Sequence, residues 1–296
     1  MINYKLLKEH GLEPKKIKKA KKSTIIETKD EKKYVLKDYN PDIAKKFNYL
    51  LSRNFTFFPT SFPLAKYNVY EYIENSSISS EERLYDIVDL ISLLHTKTTR
   101  YKNVDIDDYK IIYEDIGKEL ADLTNYYTNL NDLIDNEVYM SPSKYLLARN
   151  ISKVYSSLYF CKEELENWYD LVKNSTKTRV SYIHNNLELS HLLRNDTPYL
   201  ISWEKSKVDL PIYDLYDLYK KYYKLTDFGV LLNNYQKRYP LKEEELKLFF
   251  IKISIPFKLE FLDDEFHNTK KVKELLEYLE CGDSLIRPYY VKVKND

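Results

Sequence analysis

At residue 80 of this 296-residue chain the spacing of the apolar residues changes, and that change limits the folds open to it. Before it, short runs rich in β-branched and aromatic residues alternate with polar turns. After it, Leu84, Ile87, Val88, Ile91 and Leu94 recur at helical spacing. Further amphipathic segments follow at 107–135, 142–173, 213–223, 229–238, 242–260 and 270–280. A small strand-rich part therefore precedes a large helical one, which predicts the α+β class. The polar stretch 75–80 marks the expected boundary, giving domains 1–74 and 75–296.

Within the first part, residues 2–10 read as a short helix stopped by Gly11. Ile17 and Ala20 share the spacing of one buried face inside a lysine-rich run. Residues 23–28 and 34–37 are β-rich and flank a polar turn, which predicts a hairpin. Pro41 and Asp42 open a helix over 42–53. Pro59 and Pro63 punctuate a loop before a strand at 68–73. Five or so strands are expected in all.

Composition narrows the function classes. The chain has only 4 glycines against 30 tyrosines, so a glycine-rich phosphate loop is not available to it. Residues 1–50 hold 14 lysines and 7 acidic residues, and the remainder carries a balance of −6. Such a basic start attracts phosphate, or it decorates a soluble sheet. The run at 15–22 has no interleaved aromatic residue to stack on bases, so no nucleic-acid partner is expected. Cys161 and Cys281 lie far apart, without metal or redox spacing, which fits a reducing, cytoplasmic setting. The start MINYKLLKEHG has no apolar signal core. The most apolar stretch, 248–262, is broken by Lys252, Lys258 and Glu260, so no membrane span is expected.

The stretch 182–204, YIHNNLELSHLLRNDTPYLISWE, carries the chemistry-bearing side chains. A polar loop leads through a short apolar run and a turn into a second apolar run that ends on a polar pair. Read with the hairpin, YVLK, the helix, the strand, the linker, the LLH helix and PIYDL, this order resembles the protein-kinase-like fold. That fold is bilobal, with a small antiparallel-sheet N-lobe and a large helical C-lobe. The chain is most similar to the aminoglycoside phosphotransferase and choline kinase group, and within it to spore-coat kinase-like proteins of the CotS type. It shares with them the opening YKLLKEHGLEPKKIKKAKKSTIIETKDEKKYVLK and the helix end LLHTKTT.

The resemblance implies roles residue by residue. Lys37, in YVLK, matches the strand lysine that grips the phosphates of ATP. The helix glutamate that pairs with it has no counterpart, since Asp42 is the only acid in 42–53. His184 matches a structural loop histidine. Asn186 stands where the catalytic aspartate is expected, and an amide cannot accept a proton from a substrate hydroxyl. His191 stands at the metal-binding asparagine, and Ser202 at the aspartate of I-D-W/F-E that bridges Mg²⁺ to the phosphates. Imidazole and hydroxyl are poor replacements for hard anionic oxygens. Asp214, in PIYDL, matches the aspartate that supports the loop from beneath, with Asp217 as the other candidate. His95 matches a helix-end histidine with a packing role.

A scaffold kept without its chemistry is the expectation: a catalytically impaired pseudokinase serving as a binding or assembly module. Its partners would be proteins, spore-coat components among them. The alternative is an active ATP-dependent small-molecule phosphotransferase with displaced carboxylates. Glu204, two residues after Ser202 on an extended strand, would then face the metal, and Glu188 would replace the loop base. A third reading is a structural protein without a nucleotide site, its tyrosines serving partner contacts. Asp227-Phe228-Gly229 spells a magnesium motif but follows no strand, and it reads as a helix start. His184, Glu188 and His191 have helical metal spacing but fall in a predicted loop, so zinc is not expected.

Overall fold

The computed structural model describes residues 4–20 and 23–291, so Lys21 and Lys22 of the basic run and the first residues of the opening helix lie outside it. The elements in chain order begin with α1 (Tyr4–Glu9), β1 (Pro14–Ala20), β2 (Ser23–Thr28), β3 (Lys33–Asp38), α2 (Pro41–Ser52), β4 (Ser61–Leu64) and β5 (Tyr67–Glu71). They continue with α3 (Ser80–Thr98), β6 (Arg100–Asn103), α4 (Ile106–Asp135), α5 (Pro142–Val172) and β7 (Lys177–Ile183). The rest are β8 (Leu192–Arg194), β9 (Pro198–Leu200), β10 (Lys207–Asp209), α6 (Ile212–Tyr222), α7 (Phe228–Arg238), α8 (Glu243–Ser254) and α9 (Glu265–Val291). Two compact units result: the described residues up to Thr98 with Tyr182–Val208, and Thr99–Ser181 with those from Asp209 onward.

The first unit is built on a five-stranded antiparallel sheet in the order β1-β2-β3-β5-β4. Period-two alternation divides its side chains. Ile26, Leu36, Leu64 and Val69 bury one face, where Leu7 and Leu12 from the α1 region cover them. Lys37 and Tyr70 fall on the other face, as diagonal neighbours across β3 and β5. The β2–β3 hairpin forms where the sequence predicts it. Its turn places Glu31 at φ 64, and the Thr28 hydroxyl donates to the Lys32 carbonyl at 2.8 Å. The lysine-rich run does not place Ile17 and Ala20 on one buried face, as their spacing predicts. It forms the edge strand β1, with Ile17 half-buried on the core and Ala20 exposed. Lysines along an edge discourage further strand pairing.

α2 begins at Asn40, whose side chain accepts from the Asp42 N–H at 3.0 Å, with Pro41 in the first turn. Ile43, Phe47 and Leu50 are its buried stripe. Phe47 stacks on Phe58 with ring centroids 4.2 Å apart. Phe55 and Phe58 in turn meet the indole of Trp203 edge-on, at 5.9 and 6.2 Å. Residues 75–79 have no regular structure and are pinned to the β8–β9 hairpin. Ser76 N–H donates to the Arg194 carbonyl at 2.7 Å, and Arg83 of α3 donates to the Leu192 carbonyl at 2.8 Å.

The second unit is mainly helical. α4 and α5 are long antiparallel neighbours, and α8 and α9 pack along α5. The Arg179 guanidinium is bidentate on Glu245, with the two side chains 14% and 6% exposed, and it lies over the Tyr239 ring at 4.3 Å. α8 stops at Ser254, short of the helix predicted to 260, because Pro256 cannot continue it. α9 runs beyond the predicted 270–280 in both directions. Among the described residues no helix is long and apolar enough to cross a membrane.

Candidate functional site

Four sequence-predicted residues come together within the first unit. Lys37 leaves β3 on the face opposite the core. Its Nζ lies 2.8 Å from Glu204 Oε1 and 3.5 Å from Ser202 Oγ, and 5.7 Å from the centre of the Tyr70 ring. Asn186 joins the same cluster through its Nδ2, 3.4 Å from the Ser202 carbonyl.

The segment carrying Ser202 and Glu204 is not the extended strand expected of it. Ser202 takes φ 69 and ψ 49, a left-handed conformation uncommon outside glycine and asparagine, and Trp203–Lys205 form a 3-10 turn. Side-chain alternation therefore does not bring Glu204 round to Lys37; the tight turn does. Its anchor is Trp203, 2% exposed, whose indole N–H donates to the Leu200 carbonyl at 2.7 Å. The signal available in the sequence was the aromatic run 55–58, which supplies the socket for that indole.

Four hydrogen bonds tie the polar loop to this turn. His184, fully buried and edge-on to Trp203 at 4.7 Å, donates from Nε2 to the Ile201 carbonyl at 2.9 Å. Asn185, at φ 55, donates to the Lys205 carbonyl at 3.1 Å. Asn186 bonds the Ser202 carbonyl, and the Ile201 N–H returns to the His191 carbonyl at 2.9 Å. His191 donates from Nδ1 to the Asn186 carbonyl at 2.7 Å, so in the neutral ring its lone pair lies on Nε2. Glu188 is exposed and accepts from the Ser190 hydroxyl at 3.3 Å. Asp214 belongs to the second unit, where it is fully buried on α6, while Asp217 pairs with Lys221 at 2.9 Å.

Lys46 is the residue that sequence reasoning missed. From α2 its ammonium donates to the carbonyls of Trp203, Glu204 and Ser206 at 3.2, 2.8 and 2.9 Å. Nothing in the sequence distinguishes it from its exposed neighbour Lys45. Burial pushes its pKa down, against the opposing pull of Asp42 and Glu204. Burial also works against ionisation of Glu204, but the Lys37 hydrogen bond and charge outweigh it and hold the carboxyl below its ordinary range. The Tyr70 hydroxyl is pushed up to about 12, by burial first and by the Glu204 charge second.

The donors available here for a hard dication are one carboxylate, one hydroxyl, one amide oxygen and one imidazole nitrogen. The carboxylate already faces an ammonium. Among the described residues no group of three or more His, Cys, Asp or Glu side chains is arranged to hold a metal ion.

Among solved structures, the aminoglycoside phosphotransferase from Alicyclobacillus acidocaldarius subsp. acidocaldarius DSM 446 matches 100% of this chain over 97% of its own, at 11% identity and a TM-score of 0.71. The fold is protein-kinase-like. The AMP-bound spectinomycin phosphotransferase APH(9)-Ia matches 94% of this chain and 96% of its own, at 13% identity and a TM-score of 0.53. No family profile matches the sequence, and no curated protein does. Identities this low establish the architecture alone, an α+β fold with a small antiparallel sheet towards the N-terminus and a helical C-terminal region.

Proposed function

We propose that this protein is a kinase-like binding or assembly module that does not carry out ordinary metal-dependent phosphoryl transfer. The observation behind this reading is that Asn186 and Ser202, neither of which carries a negative charge, stand beside the Lys37–Glu204 pair. Phosphoryl transfer depends on a positioned base and on carboxylates that hold Mg²⁺, while a lysine paired with a glutamate is compatible with it. Among the described residues that meet at the site, Glu204 is the one carboxylate, and Lys37 is bonded to it. Asn186 has no basic oxygen to accept a proton, and Ser202 and His191 bring no negative charge. The residues present therefore do not fit a magnesium nucleotide held in the family's manner. Removing a positioned base alone costs typically about 10²–10⁴ in rate. The sequence resemblance points to protein partners, spore-coat components included.

One observation favours a second reading, an active phosphotransferase with Glu204 in the metal-binding role. The Glu204 carboxyl is held in its anionic form, and a dication could displace the Lys37 ammonium from it. Thermal-shift titrations separate the two, since a ligand that binds the native state raises the melting temperature. ATP with Mg²⁺ is expected to give no larger shift than ATP with EDTA. A Mg²⁺-dependent rise that disappears in Glu204→Gln would establish the second reading instead.

A further inference from the structure

Apolar side chains gather at one end of the second unit without cover. Glu265, at the start of α9, accepts from the Ser143 N–H at 2.5 Å and from its hydroxyl at 3.0 Å, which holds the start of α9 against the start of α5. The α4–α5 and α8–α9 connections therefore meet at this end. The first carries Val138, Tyr139 and Met140, all exposed, Tyr139 at 92%. The second carries the exposed Leu262 and leads into Phe266, 82% exposed. Leu133, also exposed, stands two turns beyond Tyr126 on the same face of α4. The Tyr126 hydroxyl donates to the Leu259 carbonyl, so the α8–α9 connection runs along that face. Single exposed apolar residues are ordinary, but six gathered at one end mark a surface that a partner covers.

Charge selects the partner. Asp132, Asp135, Asp263 and Asp264 flank these side chains, all four exposed and none paired with a cation among the described residues. Glu137 is answered by Lys144. Lys258, over the Tyr126 ring, and Lys270, one turn beyond Phe266, offset part of the charge, and the end stays acidic. An anionic membrane surface would repel it. A cationic strand suits it, and the chain carries one. β1 is a free edge of the sheet in the first unit, with Lys15, Lys16, Lys18 and Lys19 exposed along it. None of the four is in an ion pair among the described residues. A lysine lays its methylene stem on apolar surface while its ammonium reaches a charge beyond. The four ammoniums thus match the four carboxylates, and their stems match the apolar residues between them. The same segregation runs through the chain, with 14 lysines against 7 acidic residues in 1–50 and an acidic balance after them.

We propose that this end of the second unit docks a second copy of the chain, on the lysine edge strand β1 of that copy. The contact joins unlike surfaces, so it links copies head to tail and leaves one of each surface open at the ends. It uses none of the side chains around Lys37 and Glu204, so it stands or falls independently of the phosphoryl-transfer reading.

Sedimentation velocity on the full chain tests this. At about 50 mM salt the wild type should associate with a dissociation constant of about 100 µM or tighter, and at least about tenfold more weakly at about 500 mM, where charge is screened. A tip variant, Val138→Ser, Tyr139→Ser, Phe266→Ser, should be monomeric, as should an edge variant, Lys15→Gln, Lys16→Gln, Lys18→Gln, Lys19→Gln. All seven positions are exposed, so both variants should keep the wild-type melting temperature. Mixed together, the two should form a dimer and nothing larger, because each keeps the surface the other lacks. If the tip variant does not fold, Tyr139→Ser alone serves, with an expected weakening of about threefold or more. A wild-type chain that stays monomeric at about 1 mM would overturn the proposal, as would association that survives in the folded variants. Failure of the mixture to restore a dimer would overturn the head-to-tail contact.

Discussion

Replacing Lys46 by methionine tests how the site is held together. Methionine keeps most of the apolar stem and removes the ammonium. Three hydrogen bonds are lost, at 3.2, 2.8 and 2.9 Å. The Trp203 carbonyl keeps the Ser206 N–H and the Ser206 hydroxyl, the latter at 2.6 Å. The buried Ser206 carbonyl loses the Lys46 donor, and an unsatisfied acceptor kept from water costs about 1–3 kcal/mol, whereas the exposed Glu204 carbonyl turns to water instead. Relief of the burial that depresses the Lys46 pKa offsets part of this. The net loss should be about 1–2 kcal/mol, where a lysine on an open surface would give within about ±0.5 kcal/mol. The chain has 2 tryptophans, so a Trp168→Phe background leaves Trp203 as the sole indole reporter of the turn. Urea unfolding followed by that fluorescence should show the midpoint falling with m unchanged. Lys46→Arg should recover part of the loss. A loss below about 0.5 kcal/mol would refute the idea that Lys46 anchors the turn.

Other outcomes follow from the same geometry. Glu204→Gln should cost no more than about 1 kcal/mol, because its side chain and that of Lys37 are 39% and 23% exposed. The Glu204 carboxyl titrates lower in the folded chain than its ordinary 4.5, so its contribution is present above that pH and is lost as pH falls through the folded value. The acid limb of a stability–pH profile should therefore flatten in Glu204→Gln, and an unaltered limb would count against the pairing. Arg179→Met strands the buried Glu245 carboxylate and should cost about 3–5 kcal/mol by calorimetry; a loss under 1 kcal/mol would contradict its assigned place.

The legible part of the fold was the part written in periodicity. The hairpin, α2, α3 and the long α4–α5 pair follow from alternation, capping residues and a 3.6-residue repeat, which local sequence fixes. β1 was hidden because an edge strand buries little: Ile17 alone shows the core, and the lysines around it read equally well as a helix surface. β4 was hidden by Pro63, which marks a loop in most contexts but is tolerated at a sheet edge. At the site, Lys37, Asn186, Ser202 and Glu204 were all legible from the order of motifs. The conformation that brings them together was not. A left-handed serine has no sequence signature, and the contacts that stabilise it come from Lys46, 157 to 160 positions away. Such contacts depend on tertiary packing and leave no local pattern.

The most direct test of the central claim is phosphate release or transfer from ATP, measured with Mg²⁺ and without it, beside a Lys37→Ala variant. With an amide at the base position and a hydroxyl and an imidazole at the metal positions, the wild-type chain should show no Mg²⁺-dependent turnover above the variant. Turnover that requires Mg²⁺ and disappears with Lys37 would contradict the account.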